Sequence, residues 1–214
     1  MVLVGDYFKE DDANYDYEVI ILVEGKDDAL LLDRLLLEIG APQQTFRIIV
    51  CGGFTAIERH LNLISKSIEF LKSIKRIAIV TDADEDFKAR HDAIVKCLSR
   101  LNMGTPEAGS WCEHAQKKYG IFIFPNNCDA GDLEEFAFDS IQDHHLKNSI
   151  QNFLDPILNA NPELGKHSKR QMQVYLAVKS KRIRHTVGWA FKDRTIDASK
   201  DCFPALFGFL EDAL

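Results

Sequence analysis

Four short aliphatic runs, each followed by a longer amphipathic segment, constrain this chain more than any other feature. "YEVIILV" (17–23), "FRIIVC" (46–51), "RIAIVTD" (76–82) and "YGIFIFP" (119–125) are strand-length and rich in β-branched and aromatic residues, as buried strands should be. Between them, "KDDALLLDRLLLEIG" spaces its leucines for a helix and meets Gly40 and then Pro42 as a stop. "TAIERHLNLISKSIEFLKS" is amphipathic at helical period, with Thr55 placed as its N-cap. "EDFKARHDAIVKCLSRLN" predicts a third helix closing near Gly104 and Pro106, and "GDLEEFAFDSI" opens another. Strands alternating with helices of this length imply an α/β fold, a mostly parallel four-stranded sheet flanked by helices with right-handed crossovers. From about residue 145 the pattern turns helical, and the tail "FPALFGFLEDAL" reads as an amphipathic helix docking on the core. With no low-complexity linker and no fixed-period repeat, a single domain spanning 1–214 is expected. Its core covers about 17–140, and a basic, mainly helical extension covers about 145–214.

Several classes are disfavoured at once. The chain is 46% hydrophobic and 28% charged, the balance of a globular protein, and no apolar run approaches the roughly 18 residues of a membrane span. The first twenty residues have an acidic middle and no basic stretch before an apolar one, so no signal peptide is expected. Five scattered cysteines without a C-x-x-C pair suggest neither a zinc ribbon nor a disulfide framework. A reduced, cytoplasmic setting is the corresponding expectation. The net charge of −7 opposes indiscriminate binding to nucleic acid, but its distribution is uneven. Between Lys166 and Arg194 basic residues dominate, which can mark either a polyanion surface or a solvated helical face.

The acids that matter fall at strand ends. The first strand runs into Glu24 in "VEGKDD", the third into Asp82 and Asp84 in "VTDADED", and the fourth is followed by Asp132 and Glu134 in "GDLEEF". Ligands of open parallel sheets collect beyond the carboxyl ends of the strands. Gly52 and Gly53, which end the second strand, could bring backbone amides to a phosphate there. If the first and third strands are neighbours, Glu24, Asp82 and Asp84 converge, and carboxylates that close raise one another's pKa. A hard cation such as Mg²⁺ resolves that conflict. Each piece alone has a plainer reading. Asp27 and Asp28 suit a helix N-terminus, and Glu85 and Asp86 read as first-turn helix acids rather than ligands.

Taken together, "VEGKDD" on the first strand and "VTDADED" on the third resemble the glutamate and D-x-D motifs of the Toprim domain, the catalytic module of topoisomerases, primases, the 5S RNA maturation ribonuclease and the OLD-family nucleases. The resemblance covers residues 17 to 140, and it is nearer to the OLD-like branch and to small stand-alone Toprim-like proteins. It implies a Toprim-like, Rossmann-like fold. It also implies an additional acid after the first Glu, matched by Asp28, an acid-x-Glu pair matched by Asp132 and Glu134, and a downstream lysine matched best by Lys169, with Lys166 and Lys179 as alternatives. The pattern departs from the family where many members carry Gly after the D-x-D and this chain has Phe87 and Lys88. Asp28 also stands where OLD-like enzymes prefer Glu.

The function so implied is a Mg²⁺- or Mn²⁺-dependent phosphodiester hydrolase acting on DNA or RNA. Asp82, Asp84 and Glu134 would be the main ligands, assisted by Asp28 and Asp132, with Glu24 a ligand or the general base. Lys169 would offset charge on the scissile phosphate, and Lys179, Lys181, Arg182 and Arg184 would hold the flanking backbone. Two rivals stand beside it. One is a non-catalytic or partner-dependent module of the same fold, binding Mg²⁺, a nucleotide or nucleic acid and relying on a separate ATPase. The other is a haloacid-dehalogenase-like phosphatase, which also uses D-x-D but on its first strand.

Overall fold

The computed structural model describes residues 15–180 and 186–214. A five-stranded sheet, ordered β2-β1-β3-β5-β4, is built from β1 (Val19–Val23), β2 (Phe46–Val50), β3 (Arg76–Asp82), β4 (Ser110–His114) and β5 (Lys117–Phe124). β1 pairs in parallel with both β2 and β3, and β3 in parallel with β5. Only β4 is antiparallel, against β5. Every residue of β1 is buried, because side chains of alternating sense pack into two separate layers. Val19, Ile21 and Val23 join Phe46, Ile48, Val80, Phe122 and Phe124 on one face. Ile20 and Leu22 join Ile77, Ile79, Ile121 and Ile123 on the other.

Helices α1 (Lys26–Ile39), α5 (Leu133–Asp139), α6 (His144–Ala160), α7 (His167–Lys179), α8 (Val187–Lys192) and α9 (Pro204–Glu211) contribute to the first layer. α2 (Phe54–Ser65) and α4 (Phe87–Arg100) cover the second, with the short α3 (Ile68–Lys72) beside them. Gly40 ends α1 in the left-handed conformation at φ 73°, returning its N–H to the last turn. The tail docks as expected. Phe209 of α9 stacks on Trp111 at 4.9 Å between ring centroids, and the Trp111 indole N–H donates to the Phe209 carbonyl at 2.9 Å. Gly120 of β5 permits that contact, since a Cβ there would lie 2.8 Å from both rings.

The architecture is the expected α/β sheet with three local differences. β4 adds a fifth strand that the sequence disguises. "SWCEH" is half exposed rather than aliphatic, and its hairpin turns through Ala115 and Gln116, both at positive φ, instead of the Asn-Gly or Asp-Gly that such turns favour. The segment 55–73 is two helices rather than one, with the Ser67 hydroxyl accepting from the Phe70 N–H at 3.1 Å to start α3. Thr55 lies inside α2, whose N-cap is Gly53.

Candidate functional site

The strand order makes β1 and β3 neighbours, with the chain leaving β1 for β2 on one side and for β3 on the other. Such a reversal opens a crevice at the carboxyl edge of a sheet. Glu24 follows β1 directly, and Asp82 is the last residue of β3. Asp28 sits in the first turn of α1 with its carboxylate accepting from the Gly25 N–H at 2.7 Å. Asp132 is the N-cap of α5 and accepts from the Glu135 N–H at 3.1 Å, while Glu134 projects from that helix's first turn. Asp82 accepts from the Leu133 N–H at 2.9 Å, so the same helix start fixes the D-x-D acid and the later pair.

Asp84 takes a left-handed backbone at φ 55°, a conformation Asp tolerates better than most side chains. Its N–H donates to the Gly131 carbonyl at 2.8 Å, and the Gly131 N–H returns a bond at 2.9 Å. Gly131 is required there. At φ 146°, any Cβ would come within 2.5 Å of Glu135 and 2.8 Å of Pro125. This two-bond bridge ties the loop after β3 to the loop before α5. All six sequence-nominated acids, Glu24, Asp28, Asp82, Asp84, Asp132 and Glu134, thereby gather at one edge.

Their charge states differ sharply. Burial, followed by the fields of Asp28, Asp132, Glu24 and Glu134, pushes the Asp82 carboxyl up to about 8. Burial also pushes Asp28 up to about 7, against the opposing Gly25 N–H and with Glu24, Asp27 and Glu134 adding to it. Glu134 is raised by burial and by Asp132, partly offset by Lys169. Asp84 goes the other way. Partial burial would raise it, but hydrogen bonds and charge from Lys166 and Arg90 outweigh that and hold it below the usual carboxylate value.

Three cations meet these acids. Lys166 Nζ lies 3.0 Å from Asp84 and 3.7 Å from Asp132, and Lys169 Nζ lies 4.0 Å from Glu134. Both lysines therefore face the site from the start of α7. Arg90 of α4, which pattern reasoning passed over, reaches Asp84 at 2.6 Å and Glu24 at 3.3 Å. Thr81 and Ser168 were passed over too. The Thr81 hydroxyl donates to Glu24 and the Ser168 hydroxyl to Asp132. Between the Asp84 loop, Gly131–Asp132 and Lys166–Ser168 opens a cleft of about 360 Å³.

Other nominated residues lie differently. The Gly52 and Gly53 N–H groups both donate to the Glu24 carbonyl, at 2.9 and 3.1 Å. Both amides, expected beside a phosphate, hold the backbone of Glu24 in this structure. Lys179 pairs with Asp143 at 3.0 Å, fastening the end of α7 to the start of α6. Lys181, Arg182 and Arg184 lie outside the described residues. Asp86 is the N-cap of α4, accepting from the Ala89 N–H at 2.9 Å, in line with its reading as a helix acid.

The donor set is chemically suited to Mg²⁺ or Mn²⁺, being made of carboxylates with no thiolate or imidazole among them. Among the described residues, however, no group of three or more His, Cys, Asp or Glu is already arranged to hold an ion. Arg90 and Lys166 occupy oxygens of Glu24 and Asp84 that coordination would need.

No curated protein matches the chain. Among solved structures, the C-terminal region of the Xanthomonas campestris pv. campestris OLD protein aligns in crystals phased with mercury at TM-score 0.49 and 15% identity, covering 92% of this chain and 96% of that one. The platinum- and iodine-phased crystals align at TM-score 0.44 and 16% identity, covering 92% of this chain and 93% and 95% of those. Likeness at that level carries no inference about chemistry. Residues 18–214 match the model of the family described as "Protein of unknown function (DUF3226)", and the chain belongs to that family.

Proposed function

We propose that the acidic edge is the centre of a divalent-metal-dependent phosphodiester hydrolase acting on DNA or RNA. The observation that carries this reading is Asp82, a partly buried carboxylate raised to about 8 by burial and four neighbouring acids at the switch point of a parallel sheet. Carboxylates crowded and buried in this way destabilise a fold, and a cation bound among them relieves that cost. The order of the motifs supports the same reading, because Glu24, Asp82-x-Asp84 and Asp132-x-Glu134 stand in the sequence of the Toprim pattern.

Asp82, Asp84 and Glu134 would hold the ion, with Asp28 and Asp132 contributing charge while they cap α1 and α5. An ion there supplies Lewis-acid polarisation of a phosphoryl oxygen and helps to activate a water. Glu24, held by the Thr81 hydroxyl and by the backbone bonds from Gly52 and Gly53, would be a further ligand of the ion or the base that takes a proton from the attacking water. Lys166, which lines the cleft, and Lys169, beside Glu134, would meet the non-bridging phosphate oxygens once the acids have other partners. The basic segment, including Lys179, Lys181, Arg182 and Arg184, would hold the flanking backbone.

A second reading has one specific observation in its favour. Arg90 and Lys166 already neutralise Glu24 and Asp84, which suits a module that needs a partner, such as a separate ATPase, before it turns over. Purified protein incubated with supercoiled plasmid, single-stranded DNA and structured RNA separates the two. Cutting is expected in Mn²⁺, none in EDTA, and none by Glu24→Gln, which keeps the side chain's size but loses its basicity. An inert wild type across all three substrates favours the partner-dependent module. Wild-type cutting by Glu24→Gln would mean that the nuclease is a contaminant.

A further inference from the structure

Arg90 is built into the acidic edge rather than resting on it. One guanidinium joins acids from two different strands, lying 3.3 Å from Glu24 beyond β1 and 2.6 Å from Asp84 beyond β3. Its side chain is only 13% exposed, and its Cζ sits 4.4 Å above the centre of the Phe54 ring at the start of α2. The rigid fork of arginine fits two separated carboxylates as a flexible ammonium would not, and the ring face holds the cation where it is. The outer acids are thus satisfied, while Asp82 deeper in the edge has no side-chain cation within bonding distance among the described residues. An ion drawn to Asp82 must take oxygens of Glu24 and Asp84 away from Arg90.

We propose that Arg90 is the site's resident counter-ion, a positioning residue that competes with a divalent cation for Glu24 and Asp84 and so sets how tightly the cation binds. This rests on the reading of the acids as a cation site. It makes Phe54 part of the same device, because the ring keeps the competitor in place. The metal-free protein stays folded with its outer acids neutralised, and the cation is admitted by exchange instead of by filling an open cage.

The test is calorimetric titration of EDTA-treated protein with Mn²⁺, comparing wild type, Arg90→Gln, Arg90→Lys and Phe54→Leu. Arg90→Gln should lower the Mn²⁺ dissociation constant by about tenfold, as removal of one competing charge implies, and should lower the melting temperature of the metal-free protein. Arg90→Lys should fall between the two, because the ammonium keeps the charge but cannot span both carboxylates as the fork does. Phe54→Leu should tighten binding by a smaller factor, and it decides the matter alone should Arg90→Gln not fold. Binding by Arg90→Gln where wild type shows none also supports the exchange. An unchanged or weaker constant in Arg90→Gln, with wild type binding, overturns the role of Arg90 and leaves the cation site standing. No binding by any variant overturns both.

Discussion

Two regions of one sheet obey opposite rules. At the seam where α9 meets β4 and β5, Trp111, Phe209, Phe122, Phe136 and Phe203 form a chain of ring contacts in that order, and the Trp111 indole N–H has a carbonyl partner. At the carboxyl edge of the same sheet, beyond β1 and β3, acids crowd until burial and mutual repulsion push Asp28 up to about 7 and Asp82 up to about 8. The first region is what stabilises the fold. The second gives up part of that stability to hold acids together, the pattern on which the proposed function rests. The contrast predicts that truncation should harm the seam, whereas removing charge should relieve the edge.

The largest effect belongs to the seam. Phe209→Ala should cost about 3–5 kcal/mol, the usual range for deleting a buried aromatic ring, read as a lower denaturant midpoint at unchanged slope. A loss under 1 kcal/mol would break the contrast. Next comes the cation. Mn²⁺ at a hundred times its dissociation constant should raise stability by about 2.7 kcal/mol, and Asp82→Ala or Asp84→Ala should erase most of that gain. A melting temperature indifferent to Mn²⁺ and Mg²⁺ would return "TDADED" to the status of a polar turn.

A smaller effect follows from proton linkage. A carboxyl whose pKa is higher folded than unfolded favours folding while it is protonated, and that contribution disappears as pH rises through the folded value. For Asp82 the window runs from its ordinary 3.8 to about 8, and for Asp28 to about 7. EDTA-treated protein should therefore melt at progressively lower temperature from pH 5 to pH 9. Asp82→Asn, which can still accept from the Leu133 N–H, should flatten that slope and at pH 9 exceed wild type by about 1–3 kcal/mol. A slope unaltered by Asp82→Asn would place the strain elsewhere. The smallest change in stability should come from reversing Lys181, Arg182 and Arg184 together. Melting and Mn²⁺ stabilisation should hold, while affinity for single-stranded DNA falls and its salt slope flattens by about two contacts' worth. Unchanged binding would mark the segment as a solvated face.

The parallel sheet was legible because its strands are aliphatic, strand-length and followed by helices, and the acids were legible because motif spacing survives translation into strand ends. β4 was not, since an edge strand half open to solvent needs no aliphatic pattern, and positive-φ turns at Ala115 and Gln116 carry no residue signature. The break before α3 escaped because the apolar stripe continues across it. Arg90 and Thr81 escaped for another reason. A lone arginine on a helix and a threonine in a strand look like surface and core until the strand order shows which carboxylate each one faces. Gly52 and Gly53 show the converse, since pattern placed them at a strand end but could not show that their amides meet the Glu24 carbonyl.

The seam has a consequence for how this chain is made. Phe209 and Ala213 belong to the same apolar layer as Val19 and Ile21 of the first strand, and Trp111 remains without its carbonyl partner until α9 arrives. During synthesis, the part of that face covered by α9 must stay open until residue 213 has emerged. That layer cannot be completed before α9 has left the ribosome, and in the interval the nascent chain offers apolar surface to chaperones or to neighbouring nascent chains.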